Sequence, residues 1–153
     1  MRARRTSRRL ALDVLYEAEI RDLLPLTTFE ERSRLGWYVD GNIDEGAEAT
    51  DEPSADVLAY ARVLVTGVQE HHAALDELIE RYADRWAIER MPVIDRNLVR
   101  IALFEILWGA EVPVPVAINE AVELAKSLST DDSGRFVNGL LGRIAEEAQV
   151  GDS

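Results

Sequence analysis

Apolar positions recur at intervals of three and four along most of the chain, the period of a helix with one buried face. Residues 7–21 place Leu10, Ala11, Val14, Leu15 and Ala18 on one such stripe, with Thr6 or Ser7 positioned to cap its start. Leu12 and Tyr16 lie four apart on a neighbouring strip, which gives this helix a second contact face. Pro25 marks a break, and the spacing predicts a short helix over 28–38 with Phe29, Leu35 and Trp37 turned inward. A helix over 57–72, begun by Ser54 or Asp56, turns Val57, Leu58, Ala61, Leu64, Val65 and Val68 inward. Its Gly67 either admits a close neighbour or is merely tolerated. After a bend near His71–Ala73, residues 74–84 continue with Leu75, Leu78, Ile79 and Tyr82, and Trp86, Ile88, Met91 and Pro92 form an apolar connection. Residues 94–109 carry Leu98, Val99, Ile101, Ala102, Leu103, Phe104, Ile106 and Leu107 around nearly the whole circumference, the signature of a central helix, and Gly109 ends it. Pro113 and Pro115 stiffen the next turn. Residues 116–128 follow with Ala117, Ala121, Leu124, Ala125 and Leu128 inward, then a cap signal at 129–132. The last helix, 133–148, buries Phe136, Val137, Leu140, Leu141, Ile144 and Ala148.

No segment demands a strand, because the β-branched stretch at 112–118 is broken by two prolines. The expectation is an all-α protein of about seven helices, one domain over 1–153, with helical groups at roughly 1–85 and 92–148. The stretch 40–56 holds seven acids, no base and one large aliphatic residue, so it reads as an exposed loop, and 149–153 as a fraying tail.

Composition narrows the chemistry. The chain has no cysteine and only two histidines, the adjacent His71 and His72, which excludes thiolate metal sites, cysteine nucleophiles and multi-histidine metal sites. The arginine-rich start makes a poor secretory signal, and no apolar run reaches membrane-spanning length, so a cytoplasmic location is expected. No nucleophile elbow, phosphate loop or zinc-protease signature occurs, and the Gly139–Gly142 stretch is expected to let helices approach rather than to cradle phosphate. No cofactor and no enzymatic activity are expected.

The net charge of −12 argues against nucleic acid until its distribution is considered. Arg2, Arg4, Arg5, Arg8 and Arg9 fall in the first ten residues without an acid, while the other 143 residues hold 12 basic and 29 acidic side chains. A bulk that repels polyanions thus carries one patch that can attract them. Arginines at a helix start oppose the helix dipole, which points to an external anion such as a nucleic acid, with a solvated tail or an acidic protein partner as the alternatives. Guanidinium groups grip phosphate bidentately. A second polar group opens the last helix: Arg135 for phosphate, Asn138 either for a base edge or for a helix-packing hydrogen bond, and Phe136 either as a stacking platform or as part of the core stripe.

Three blocks carry a resemblance to a known family: the arginine-rich start running into SRRLALDVLYEAE, DRNLVRIALFEI at 95–106, and PVPVAINEAVELAKSLSTDDSGRFVNGLL at 113–141. Together they resemble the NusB family of transcription antitermination factors over about half the chain. The resemblance implies two small packed helical bundles and a binding activity without catalysis. The ligand it implies is boxA RNA, taken together with NusE, a protein of the small ribosomal subunit. It also implies association with the elongating RNA polymerase complex in support of ribosomal RNA transcription. Carried over by position, Arg2, Arg4, Arg5, Arg8 and Arg9 face RNA, as do Asp132, Ser133, Arg135, Phe136 and Asn138. Tyr16, Asp95 and Arg96 lie on the NusE side. Asn119 and Glu120 tie helices and loops together. Gly134 and Arg135 fill the two variable slots of the DSxKFVNG pattern, and the acidic loop has no counterpart. Two rivals remain: a homodimeric helical interaction protein without sequence-specific RNA binding, and the RNA-binding part of a ribosomal RNA methyltransferase.

Overall fold

The computed structural model describes residues 2–37, 53–84, 86–109 and 111–147; most of the acidic loop and the tail lie outside them. Among the described residues are seven α-helices and no strand: α1 (Arg2–Arg21), α2 (Pro25–Leu35), α3 (Ala55–Glu70), α4 (His72–Tyr82), α5 (Val93–Trp108), α6 (Val114–Leu128) and α7 (Asp131–Glu147), with a 3₁₀ turn at Ile88–Arg90. None of these helices is long and apolar enough to cross a membrane.

Helix ends follow local chemistry. The Ser54 hydroxyl accepts a hydrogen bond from the Val57 backbone N–H at 3.2 Å and starts α3. α2 and α6 begin earlier than the apolar spacing predicts because Pro25 and Pro115 sit in their first turns. A proline there loses no hydrogen bond and brings a helical φ, so it starts a helix rather than breaking one. His71 divides α3 from α4, where a bend is expected.

α1, α2 and α3 pack on one another, as do α5, α6 and α7, and α5 also meets α1, α3 and α4. One core runs through all of them. α5 is its axis: every residue from Leu98 to Glu105 is buried. Each fully buried Leu or Ile there contributes about 1.5–3 kcal/mol of transfer free energy. Phe104 lies against Gly67, where a Cβ would come within 2.2 Å of the ring, so this glycine is required by the close approach of α3 to α5. A Cβ on Gly134 of α7 would come within 2.5 Å of Lys126 Cγ on α6, so that half-exposed side chain would have to shift. Two expectations are corrected. A Cβ on Gly139 or Gly142 would meet nothing within 4 Å, so neither mediates helix contact. Leu35 is 69% exposed, because α2 ends there, whereas Phe29 and Trp37 turn onto the core, their rings edge to face at 5.1 Å.

Candidate nucleic-acid interface

The start of α1 gathers positive charge where the helix dipole disfavours it, and the fold supplies the compensation. Arg5 is held bidentately by Glu120 of α6, at 3.0 Å from Nε to Oε1 and 2.9 Å from Nη2 to Oε2. Arg8 places Nε 3.0 and 3.1 Å from the two carboxylate oxygens of Glu105 on α5, and its Nη1 lies 3.7 Å from Glu120. The Tyr60 hydroxyl donates to the same Glu105 carboxylate, and the Arg4 guanidinium lies 3.7 Å above the centre of the Tyr60 ring. Burial, and then the bond to Glu105, push the Tyr60 phenol well above its ordinary pKa. Arg9 pairs with Asp13 at 3.3 Å, and the Arg2 side chain lies outside the described part.

These contacts change the reading of the patch. Internal carboxylates answer Arg5 and Arg8, so an external anion is not needed to explain their position. Arg8 is only 5% exposed and is spent on Glu105; as a surface phosphate ligand it is corrected, because its fork is already filled inside the fold. Arg4 and Arg5 remain at the surface. They line a cleft of about 490 Å³ with Arg8, Glu111, Glu120 and an apolar wall of Val112, Pro113 and Val116.

A second groove, of about 450 Å³, lies where α6 meets α7, lined by Val122, Lys126, Asp131, Gly134, Arg135 and Asn138. Thr130 caps α7 through its hydroxyl, which accepts from the Ser133 N–H at 3.0 Å. Ser133, expected to face RNA, is corrected: it is buried, and its hydroxyl shares a hydrogen bond with Ser129 at 2.9 Å. Asp132 and Arg135 are exposed and paired with each other. Asn138 is exposed on the α6 side. Phe136 faces the other flank, half-buried, its ring edge to face with Trp86 at 4.9 Å, beside a shallow cleft that Arg135 also borders. The structure therefore brings Arg135 and Asn138 together and sets Phe136 across the helix from Asn138. Six residues of α6, about 9 Å of helix axis, separate Glu120 in the first cleft from Lys126 in the second.

The expected partner-facing residues separate by burial. Tyr16 is 44% exposed, and Ile20, Leu23 and Leu24 extend it into an apolar strip. The interval of four from Leu12 through Tyr16 continues to Ile20, the signal that could have found the strip; its inner end, Leu12, is in the core. Arg96 is mostly covered: it donates to the Ile88 and Met91 carbonyls at 3.2 and 2.7 Å and pairs with Glu19. Glu19 also meets Arg100, whose fork holds Asp76 at 2.8 and 3.0 Å. Asp95 is corrected as a surface residue, being only 2% exposed.

The Asp95 Oδ1 atom has no hydrogen-bond partner among the described residues. Burial raises the Asp95 pKa above its ordinary value, and a hydrogen bond from Ser133 opposes the shift. The folded protein then holds this proton more tightly than the unfolded chain does. The Asp95 contribution is present below the ordinary carboxyl range and is lost as pH rises through the raised value. Asp95→Asn should therefore gain on the wild type as pH goes from about 4 to about 7. Urea unfolding at both values checks this, and an equal difference at both would refute it.

A family model described as the NusB family matches residues 5–146. The chain is 49% identical over 148 residues to a transcription antitermination protein NusB of Salinispora arenicola, covering 97% of this chain and 98% of that one. It is 41% identical over 145 residues to the protein of the same name from Myxococcus xanthus, covering 95% and 96%. Among solved structures it is similar to T. maritima NusB, with a TM-score of 0.75, 34% identity and coverage of 94% of this chain and 91% of that one. It is similar as well to a chain in the crystal structure of antitermination factors NusB and NusE in complex with dsRNA, with a TM-score of 0.76, 27% identity and coverage of 95% and 98%.

Proposed function

The chain belongs to the NusB family, and on that premise we propose that it is a transcription antitermination factor that binds single-stranded boxA RNA together with NusE. It acts as a binding protein rather than an enzyme. The observation that carries the RNA reading is the pair of clefts joined by α6, one beside the exposed Arg4 and Arg5 and one beside Lys126, Arg135 and Asn138. A strand laid along α6 meets cationic groups at both ends and an amide able to read a base edge. Single-stranded RNA fits this layout, because the groups lie in shallow clefts where unpaired bases can be reached. The exposed strip of Tyr16, Ile20, Leu23 and Leu24 supports a protein partner, NusE, on a separate face. The complex then joins the elongating RNA polymerase and supports ribosomal RNA transcription.

The acidic body makes RNA binding by the chain alone weak. The test is a titration of boxA RNA with the chain, with NusE and with their mixture at stated salt, using a scrambled RNA and a duplex of the same sequence as controls. Tight, sequence-dependent binding is expected mainly from the mixture; equal affinity for boxA and the scrambled strand would defeat the proposal. Gel filtration of the chain with and without NusE separates this reading from a homodimer that covers its arginine-rich face. Arg5→Ala should weaken every RNA and reduce the dependence of log K on log salt by about one. An unchanged slope would remove Arg5 from the contacts.

A further inference from the structure

The cleft beside α1 has two unlike walls. One is apolar and solvent-facing: Val112, Pro113 and Val116, the last 37% exposed. The other carries the Arg4 and Arg5 side chains, and the exposed Glu111 also lines the cleft, next in sequence to the apolar wall. A nucleotide has the same two halves, a flat apolar base and a charged phosphate, and the volume of about 490 Å³ lies within the range of small-ligand sites.

Glu120 sits where such a phosphate would bind. Its two oxygens take Nε and Nη2 of Arg5 in the parallel, bidentate arrangement that a phosphate also accepts. The Arg5 side chain is 56% exposed and the Glu120 side chain 15%, so the arginine can turn to solvent while the carboxylate stays in place. Arg8 lies behind, its Nη1 3.7 Å from Glu120, and remains there to offset the carboxylate once Arg5 has left. The hydrogen bonds from Arg5 hold the Glu120 carboxyl below its ordinary range, so it is charged at neutral pH.

We propose that this cleft seats one nucleotide of the bound RNA, and that Glu120 occupies its phosphate position in the free protein until RNA takes Arg5 from it. The proposal rests on the RNA-binding reading and adds to it a defined subsite and an internal competitor. Glu120 lowers affinity for any polyanion, so only an RNA that also fits the rest of the path repays the exchange. The apolar wall then favours a strand with an unpaired base at this point.

The test is fluorescence anisotropy of a boxA single strand with the chain and NusE. Glu120→Gln should tighten binding by about three- to tenfold and steepen the salt slope, because Arg5 is no longer held by a charged partner. In an Arg5→Ala background the same change should give no gain, which separates an exchange of partners from the removal of one negative charge. Val116→Ser, at an exposed position, should weaken binding about threefold with an unchanged melting temperature. A Glu120→Gln variant that binds like the wild type, or a gain that persists without Arg5, overturns the exchange. An unchanged Val116→Ser overturns the base seat. If the wild-type pair binds no RNA at all, the RNA reading itself fails, an outcome distinct from wild-type binding with unresponsive variants.

Discussion

Arg8→Ala should destabilise the protein by about 3–5 kcal/mol, more than a lost surface contact can explain. Arg8 and Glu105 are both almost fully buried, at 6% and 1% side-chain exposure, and each is the principal counter-charge of the other. Removing the guanidinium leaves a carboxylate inside the core with, among the described residues, the Tyr60 hydroxyl as its remaining hydrogen-bond partner. A charge stranded in this way costs far more than the net value of the intact pair. Arg8→Lys should recover only part of the loss, since an ammonium cannot reproduce the fork geometry. Urea unfolding at neutral pH measures it, and a loss under about 1 kcal/mol would show that the pair is solvated. RNA binding by Arg8→Ala is informative only when corrected for the unfolded fraction, whereas Arg5→Ala, at the surface, needs no such correction.

Phe136→Leu should reduce RNA affinity by about 5- to 150-fold, the 1–3 kcal/mol that stacking one base on an aromatic ring provides. The ring is half-buried and touches Trp86 by its edge, which leaves part of it facing the cleft beside Tyr82 and Arg143. Leucine fills most of the same volume and keeps the apolar contact but has no π face, so the melting temperature should change little. Intact RNA affinity, or a large melting loss, would return Phe136 to the core stripe and leave Asn138 and Arg135 as the α7 contacts.

Every helix was legible from apolar spacing, because each has one face in the core and the period of three and four is the imprint of that face. The starts of α2 and α6 were less so: Pro25 and Pro115 read equally as breakers and as first-turn residues until the chain direction around them is known. Leu35 was misplaced because spacing tells which residues share a face but not where a helix stops. The candidate site was legible as residue types and not as partners. Glu105 is one polar position in an apolar run, and nothing local shows that Arg8, 97 positions away in sequence, reaches it. A separation of 115 positions hides the pairing of Arg5 with Glu120 in the same way. Arg135 and Asn138 were found because their spacing of three is preserved on one helix. Phe136, between them in sequence, turns to the opposite flank for the same geometric reason.

The burial of α5 on every side has a consequence for how this surface can change. Amides in such a helix meet solvent only when the whole molecule opens, while helix ends and loops fray individually. Glu105 stands on that helix and anchors Arg8, which in turn underlies the groups at the mouth of the cleft. The counter-charge cannot be withdrawn by loosening one segment. Any adjustment on meeting RNA is confined to the outer side chains, over a foundation that moves as one piece with the fold.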